Sequence, residues 1–328
     1  MRRTTYEANT VRRTLLLFVI VEASVGFGCR GRVPRTTVDR VTEDRWLSSA
    51  ISPREGIIGR VAAQGVVRLL TTGHRIVTLD VSRQRMGAVT LPDIADGEDL
   101  TGFGELPDGS LWTLSGWATL LRLNDRGRVV ERRSLSVKQT GLHSGFGRLI
   151  FQPLDFTGGA PALVAGLPEG DGGRAWGTLR IRDGSEAGPI RLAQSLATCG
   201  VAVGDRMPCW VTNSSAVELI DEAGLAKTVA ISALSAWPAH DPLDFASRPH
   251  RVIRDVWLQP GLAFWILVRP ASADTPDRRG ERGLWHIDRD GTVTARYLLP
   301  SRARVIVGVD DRRVFLLTAE GDVVSVGV

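Results

Sequence analysis

Lysine is almost missing from this 328-residue chain: Lys138 and Lys227 stand alone among 41 basic residues, the rest being arginine. Tyrosine occurs twice and cysteine three times. No run of about eighteen uncharged apolar residues is present, which excludes a polytopic membrane protein. Disorder is excluded from the other side, because 43% of the residues are hydrophobic and suffice for a buried core. The length fits two ordinary domains or one large all-β architecture.

The formal charge of +5 is a weak hint of nucleic-acid binding. An arginine-for-lysine bias this strong reads as a genome-composition effect. The basic residues are interleaved with acids, and no basic stripe with aromatic stacking partners occurs, so no nucleic-acid partner is expected. Cys29, Cys199 and Cys209 lack the paired spacing of a metal cluster.

The amino terminus reads as an export signal. Arg2, Arg3, Arg12 and Arg13 precede a short apolar core at 15–21, and small residues lead to Cys29. A basic region, a seven-residue apolar core and a small-residue cleavage zone describe a secretory leader, too short to span a bilayer. Residues 1–28 are therefore expected to be an export signal, and the protein to work in the cell envelope. Cysteine at the cleavage point resembles the bacterial lipobox, which implies lipidation at Cys29 and membrane association through that lipid. Gly26 three residues before the cysteine, and bulky Phe27, depart from that pattern. A simply cleaved leader with an incidental Cys29 is the alternative. Residues 29–56 read as a tether carrying one short strand near 38–41.

From residue 57 the chain breaks into apolar runs of four to eight residues, such as 66–70, 75–81, 110–114, 119–123, 251–258 and 313–317. This spacing predicts many short strands. Three hairpins share a signature: Asn124 to Gly127, Asp221 to Gly224 and Asp288 to Gly291. Each sets Asn or Asp three residues before Gly, so the side chain bonds its own backbone and Gly takes the positive φ that closes the turn. Aromatics at Trp112, Trp210, Trp265 and Phe315 recur in the strand that would come second in each unit.

Units of four strands with these marks resemble blades of the NHL/TolB-like six-bladed β-propellers, and residues 106–135 carry the likeness best. The resemblance implies an all-β fold of six four-stranded antiparallel blades at about 57–92, 100–136, 147–196, 198–233, 252–300 and 304–328. The last blade has room for three strands, so a strand near 36–42 is expected to close the ring. A pair of β-sandwiches is the competing architecture. The recurrent aromatics are expected to pack between blades rather than to stack sugars. Cys199 and Cys209 flank a hairpin and are expected to be joined in an oxidising compartment, or else to be two reduced core cysteines.

Blade topology puts the long connections 137–146, 168–174, 234–251 and 271–282 on one face, where a site is expected. They carry His143, His240, Asp244 and His250, which suit an acid–base or metal site. Arg148, Arg254, Asp255 and Arg304 are expected near the starts of innermost strands, where converging arginines hold a carboxylate or phosphate. Gluconolactonase-type propellers use a channel metal held in part by two asparagines, and here only Asn124 and Asn213 follow the leader. The serine elbow G-x-S-x-G and a phosphate-cradling loop are missing. The expectation is a binding module for a small molecule or a protein, without cofactor. An envelope hydrolase or lactonase-like enzyme with a His/Asp metal site in the channel mouth is the alternative.

Overall fold

The computed structural model describes residues 38–63, 65–154, 162–165, 174–178, 197–211, 216–235, 253–268 and 281–328. Four sheets are four-stranded antiparallel meanders. After two N-terminal strands, β1 (Val38–Arg40) and β2 (Glu43–Leu47), the first meander is β3 (Ile57–Ala63), β4 (Val66–Thr71), β5 (Arg75–Asp80) and β6 (Arg85–Thr90). The second is β7 (Leu100–Glu105), β8 (Leu111–Ser115), β9 (Thr119–Leu123) and β10 (Val129–Ser134). The third is β11 (Gln139–Gly145), β12 (Arg148–Pro153), β13 (Ala162–Ala165) and β14 (Arg174–Thr178). The fourth is β15 (Ala197–Cys199), β16 (Arg206–Val211), β17 (Ala216–Asp221) and β18 (Ala226–Ala230), with one helical turn, Ser232–Ser235, behind it.

The remaining strands, β19 (Ile253–Leu258), β20 (Phe264–Val268), β21 (Glu281–Ile287), β22 (Val293–Val309), β23 (Arg313–Thr318) and β24 (Val323–Gly327), share one eight-stranded sheet with β1 and β2. The long β22 pairs with β21 through its first half and with β23 through its second. The N-terminal strand that joins the last hairpin is β2, antiparallel to β24, rather than residues 36–42; β1 lies parallel to Arg296–Leu298 of β22 instead. Trp46 explains the choice. Its indole packs on Phe315 at 5.2 Å between ring centroids and donates to the Val81 carbonyl at 2.8 Å.

The architecture is a β-propeller. Its core is divided into clusters that each join one sheet to the next. Leu70 and Ile76 of the first sheet meet Phe103 and Leu121 of the second; Leu114 and Leu120 of the second meet Leu149 and Phe151 of the third. Ile150 packs with Met207 and Ile220, Trp210 with Val256 and Ile266, and Trp265 with Ile306 and Leu316. A last cluster returns to the start, packing Val307 and Phe315 on Val67, Leu69 and Leu79. Each fully buried Leu, Ile or Phe contributes roughly 1.5–3 kcal/mol, so the sheets are held by their neighbours and not by a common centre.

Trp112, Trp265 and Phe315 occupy one register position, the second pair from the turn between the first two strands of their units, opposite Gly104, Trp257 and Gly308. All three are buried. Trp210 is buried too but lies nearer the other end of its strand, opposite Thr198, so it is not a copy of the other three.

The hairpin signature has a second role beside closing the turn. Asn124 Oδ1 accepts from the Arg126 and Arg128 amides at 3.0 Å, and Asp288 Oδ1 accepts from Asp290 and Thr292 at 2.9 and 2.8 Å. Gly127, Gly224 and Gly291 all have positive φ, and a Cβ on any of them would strike a carbonyl of the preceding sheet, at Thr90, Trp176 or Ala230. Only glycine permits both the turn and that approach.

Candidate functional site

The first strand of each meander, together with β19 and the second half of β22, lines a cavity of about 640 Å³. The near ends of these strands share a device. In β3, β7, β11, β19 and β22, pairing with the next strand skips one residue: Ile58, Thr101, Thr140, Arg254 and Arg304. A bulge of this kind re-aims the unpaired residue's side chain, and all five residues line the cavity. Thr198 lines it from the corresponding place on β15, where the ladder from Ala197 to Cys199 runs without a skip. Among the described residues, these inner-strand positions therefore bring one isoleucine, three threonines and two arginines to the cavity.

Glycines after the bulges bring the inner strands together. A Cβ on Gly59 would stand 2.6 Å from the Phe103 Cβ, and one on Gly102 would run into the Leu142 amide. Gly141 leaves room for an imidazole, since an added Cβ there would be 3.3 Å from His143 Nε2.

The cavity's charges are partly neutralised within its wall. Arg60 Nη1 donates to Asp255 Oδ2 at 2.7 Å and also to the Ile306 carbonyl, while Nη2 donates to the Val256 carbonyl at 3.1 Å. The Ile306 amide donates to the same Asp255 oxygen at 2.7 Å. Glu55 is held by Arg75, whose Nε and Nη2 donate at 3.0 and 2.9 Å. Arg304 donates to the carbonyls of Glu55, Pro53 and Ala319 at 2.5, 2.5 and 2.6 Å. Carbonyls fix that guanidinium in place without cancelling its charge. Its pKa is lowered, first by burial and then by the neighbouring charge of Arg254, with Glu320 opposing. Arg254 is exposed, and among the described residues neither it nor Arg304 has a carboxylate within ion-pair distance.

His143 sits on β11 in the cavity wall, its Nε2 shielded from solvent and without a hydrogen-bond partner. Burial holds its pKa down to about 4, so the ring is neutral at ordinary pH. Among the described residues, no group of three His, Cys, Asp or Glu side chains stands close enough to hold a metal ion.

Of the residues singled out in the sequence, His143, Arg254, Asp255 and Arg304 line this cavity. Arg148 does not. It opens β12, a second strand rather than an innermost one, and pairs with Glu222 at 3.1 Å. The segment 137–146, read as a connection, is largely the innermost strand β11, and the third sheet starts at Gln139 rather than 147. Its glycines and polar residues break the apolar run because they face a neighbouring strand and the cavity. His240, Asp244 and His250 lie outside the described residues, as do Cys29, the export signal, and most of the connections 168–174, 234–251 and 271–282. Cys199 and Cys209 form a disulfide, with 4.1 Å between Cα atoms directly across β15 and β16.

Arg60 and the bulge threonines were missed. The signal for the latter was present: the Thr-Gly pair recurs at Thr101-Gly102 and Thr140-Gly141, each two residues into its strand. Arg60 follows the equivalent Gly59 but resembles any surface arginine in a strand.

No protein-family model matches the sequence, and no curated protein matches it. Solved structures do. A catalytically inactive virginiamycin B lyase from Staphylococcus aureus, crystallised with quinupristin, aligns over 88% of this chain and 99% of its own, with 12% identity and a TM-score of 0.52. A gluconolactonase from Xanthomonas campestris aligns over 88% of this chain and 89% of its own, with 11% identity and a TM-score of 0.50. A putative gluconolactonase is similar over 89% of this chain and 93% of its own, with 13% identity and a TM-score of 0.50. At such identities the likeness is one of fold, and the fold it supports is the β-propeller.

Proposed function

We propose that this chain is an exported, six-bladed propeller of the NHL/TolB-like kind, acting as a binding module through the cavity at the start of its inner strands. The observation that carries the reading is the set of five bulges that turn Ile58, Thr101, Thr140, Arg254 and Arg304 into one cavity. Repeated bulging at equivalent places is a feature of binding and catalytic rims, and the volume lies within the usual range for a small ligand of roughly 300–1,000 Å³.

Six blades are supported by the division of β22 between two hairpins, by the cyclic order of the core clusters and by the pairing of β2 with β24. Export is supported by the basic, apolar and small-residue regions of 1–28 and by the Cys199–Cys209 bridge, which suits an oxidising compartment. Lipidation at Cys29 would anchor the propeller at the envelope surface, with 29–56 as tether and first strands. A contact with a protein partner on the same face is supported by Trp117. It is 44% exposed and holds a positive φ of 68° on the turn whose carbonyl accepts from the Gln139 amide at the start of β11.

A hydrolase or lactonase-like activity is the second reading. What favours it is His143, a neutral imidazole in the cavity wall whose Nε2 is unpartnered.

The test is to purify the full chain from cells that produce it and identify, by mass spectrometry, the small molecules released on denaturation. One species near stoichiometric amount, missing from a Thr140→Trp variant that fills the rim, is expected. Identical release from both proteins would overturn the reading. Hydrolysis of an added lactone that disappears in His143→Phe would favour the enzyme instead.

A further inference from the structure

We infer that the cavity takes an oxyanion, a carboxylate or phosphoryl group, between Arg254 and Arg304; this rests on the binding-module reading and names its ligand class. Among the described residues, four arginines and two carboxylates line the cavity: Arg54, Arg60, Arg254 and Arg304 against Glu55 and Asp255. Both carboxylates are committed. Asp255 is salt-bridged to Arg60 at 2.7 Å, and Glu55 to Arg75 at 2.9 Å. The remaining positive charge is not spent inside the wall.

Arg254 and Arg304 are the bulge residues of two adjacent inner strands, β19 and β22, at the same level of the cavity. Two guanidiniums side by side repel, and an arrangement that holds them there needs a fixed scaffold. Arg304 has one, in its bonds to three carbonyls. Arg254 is exposed and projects from β19. An oxyanion placed between them relieves the repulsion; Arg254 offers it a paired N–H fork, while Arg304, whose Nη2 hydrogens both go to carbonyls, offers its charge and the donors left on Nε and Nη1. In a partly enclosed site such an interaction is screened less than on an open surface.

The facing arc of the rim fits the rest of a polar ligand. Thr140 and Thr198 line the cavity from the third and fourth inner strands and carry hydroxyls. Thr140 Oγ1 donates to the Gln152 carbonyl at 3.1 Å, which leaves its oxygen free to accept. Thr101 Oγ1 has no partner but is shielded from solvent, so it is not among the groups that meet the ligand. The ligand class is therefore a small organic acid or phosphate ester with a hydroxyl- or amide-bearing body.

The experiment is calorimetric titration of the full chain with succinate, its neutral analogue succinamide, and inorganic phosphate, at constant ionic strength. Saturable binding of succinate or phosphate, at least about tenfold tighter than succinamide, is expected. Arg254→Ala weakens it at least about tenfold, whereas Arg148→Ala, at a half-buried arginine outside the cavity that pairs with Glu222, leaves it unchanged. Arg304→Lys, which keeps the charge and so guards against a variant that fails to fold, weakens binding because an ammonium cannot make all three carbonyl bonds that hold the guanidinium beside Arg254. Succinate in preference to phosphate identifies a carboxylate ligand, and the reverse order a phosphoryl one. Absence of saturable binding by either anion up to about 20 mM overturns the inference, as does equal loss in Arg254→Ala and Arg148→Ala. Equal binding of succinate and succinamide, abolished by Thr140→Trp, overturns the anion assignment while leaving the binding module standing.

Discussion

Arg60 and Asp255, 195 residues apart, meet at 2.7 Å with only 7% and 8% of their side chains exposed. Arg60 stands on β3, at the start of the propeller, and Asp255 on β19. The same guanidinium bonds the Ile306 carbonyl on β22, so one side chain ties together three inner strands. The pair joins the first sheet to the last one across the cavity. It belongs to the architecture rather than to ligand recognition, although Asp255 lines the cavity.

Breaking this pair from one side leaves a buried charge without its partner. Asp255→Ala is expected to lower the unfolding free energy by about 3–5 kcal/mol, and Arg60→Met by a similar amount. The double variant Arg60→Met/Asp255→Leu should recover much of that loss, because neither charge then remains buried. Urea unfolding of the three variants measures this. A loss below about 1 kcal/mol in both single variants would mean that solvent compensates the lone charge, and the pair would not join the ring.

The glycines of the repeated turns separate two causes of the same residue choice. Gly291 and Gly109 both have positive φ, near 87° and 81°. An added Cβ meets the Ala230 carbonyl at Gly291 and nothing within 4 Å at Gly109. Gly109→Ala should therefore cost only the backbone penalty, about 1 kcal/mol. Gly291→Ala should cost clearly more, about 3 kcal/mol or above, since the preceding sheet must also move. Equal melting temperatures for the two variants would show that the sheets yield at no cost.

Much of the strand pattern was legible because it rests on short-range chemistry. Asn124, Asp221 and Asp288 announce their turns, and Trp112, Trp265 and Phe315 mark one register by size alone. What was not legible depends on neighbours distant in sequence. The β11 segment reads as a connection because Gly141, His143 and Ser144 interrupt its apolar run, yet those residues answer to β7 and to the cavity. The same error moved Arg148 to an innermost strand. Arg254, Asp255 and Arg304 were placed near the cavity from strand order, but the sequence carries no sign that Asp255 is taken by Arg60. Bulges are likewise a property of two strands, and only the repeated Thr-Gly pair hints at them.

His143 gives the fold a pH dependence whose sign follows from burial. The imidazole carries its proton more weakly in the folded protein, where its pKa is about 4, than at its ordinary value of 6.5. Above the ordinary value both states are neutral and His143 imposes no penalty. As the pH falls from there toward 4, the unfolded chain binds the proton first, and stability is lost progressively through that window. The full effect is on the order of 3 kcal/mol. Replacing the ring by His143→Phe removes the titrating group and keeps a planar side chain in the wall. The difference in unfolding free energy between the two proteins should therefore narrow in favour of the variant as the pH is lowered from 7 to 4.5. Acid unfolding followed by tryptophan fluorescence provides the measurement. Parallel stability curves over that range would place the imidazole in contact with water, and the cavity wall would then be open at β11.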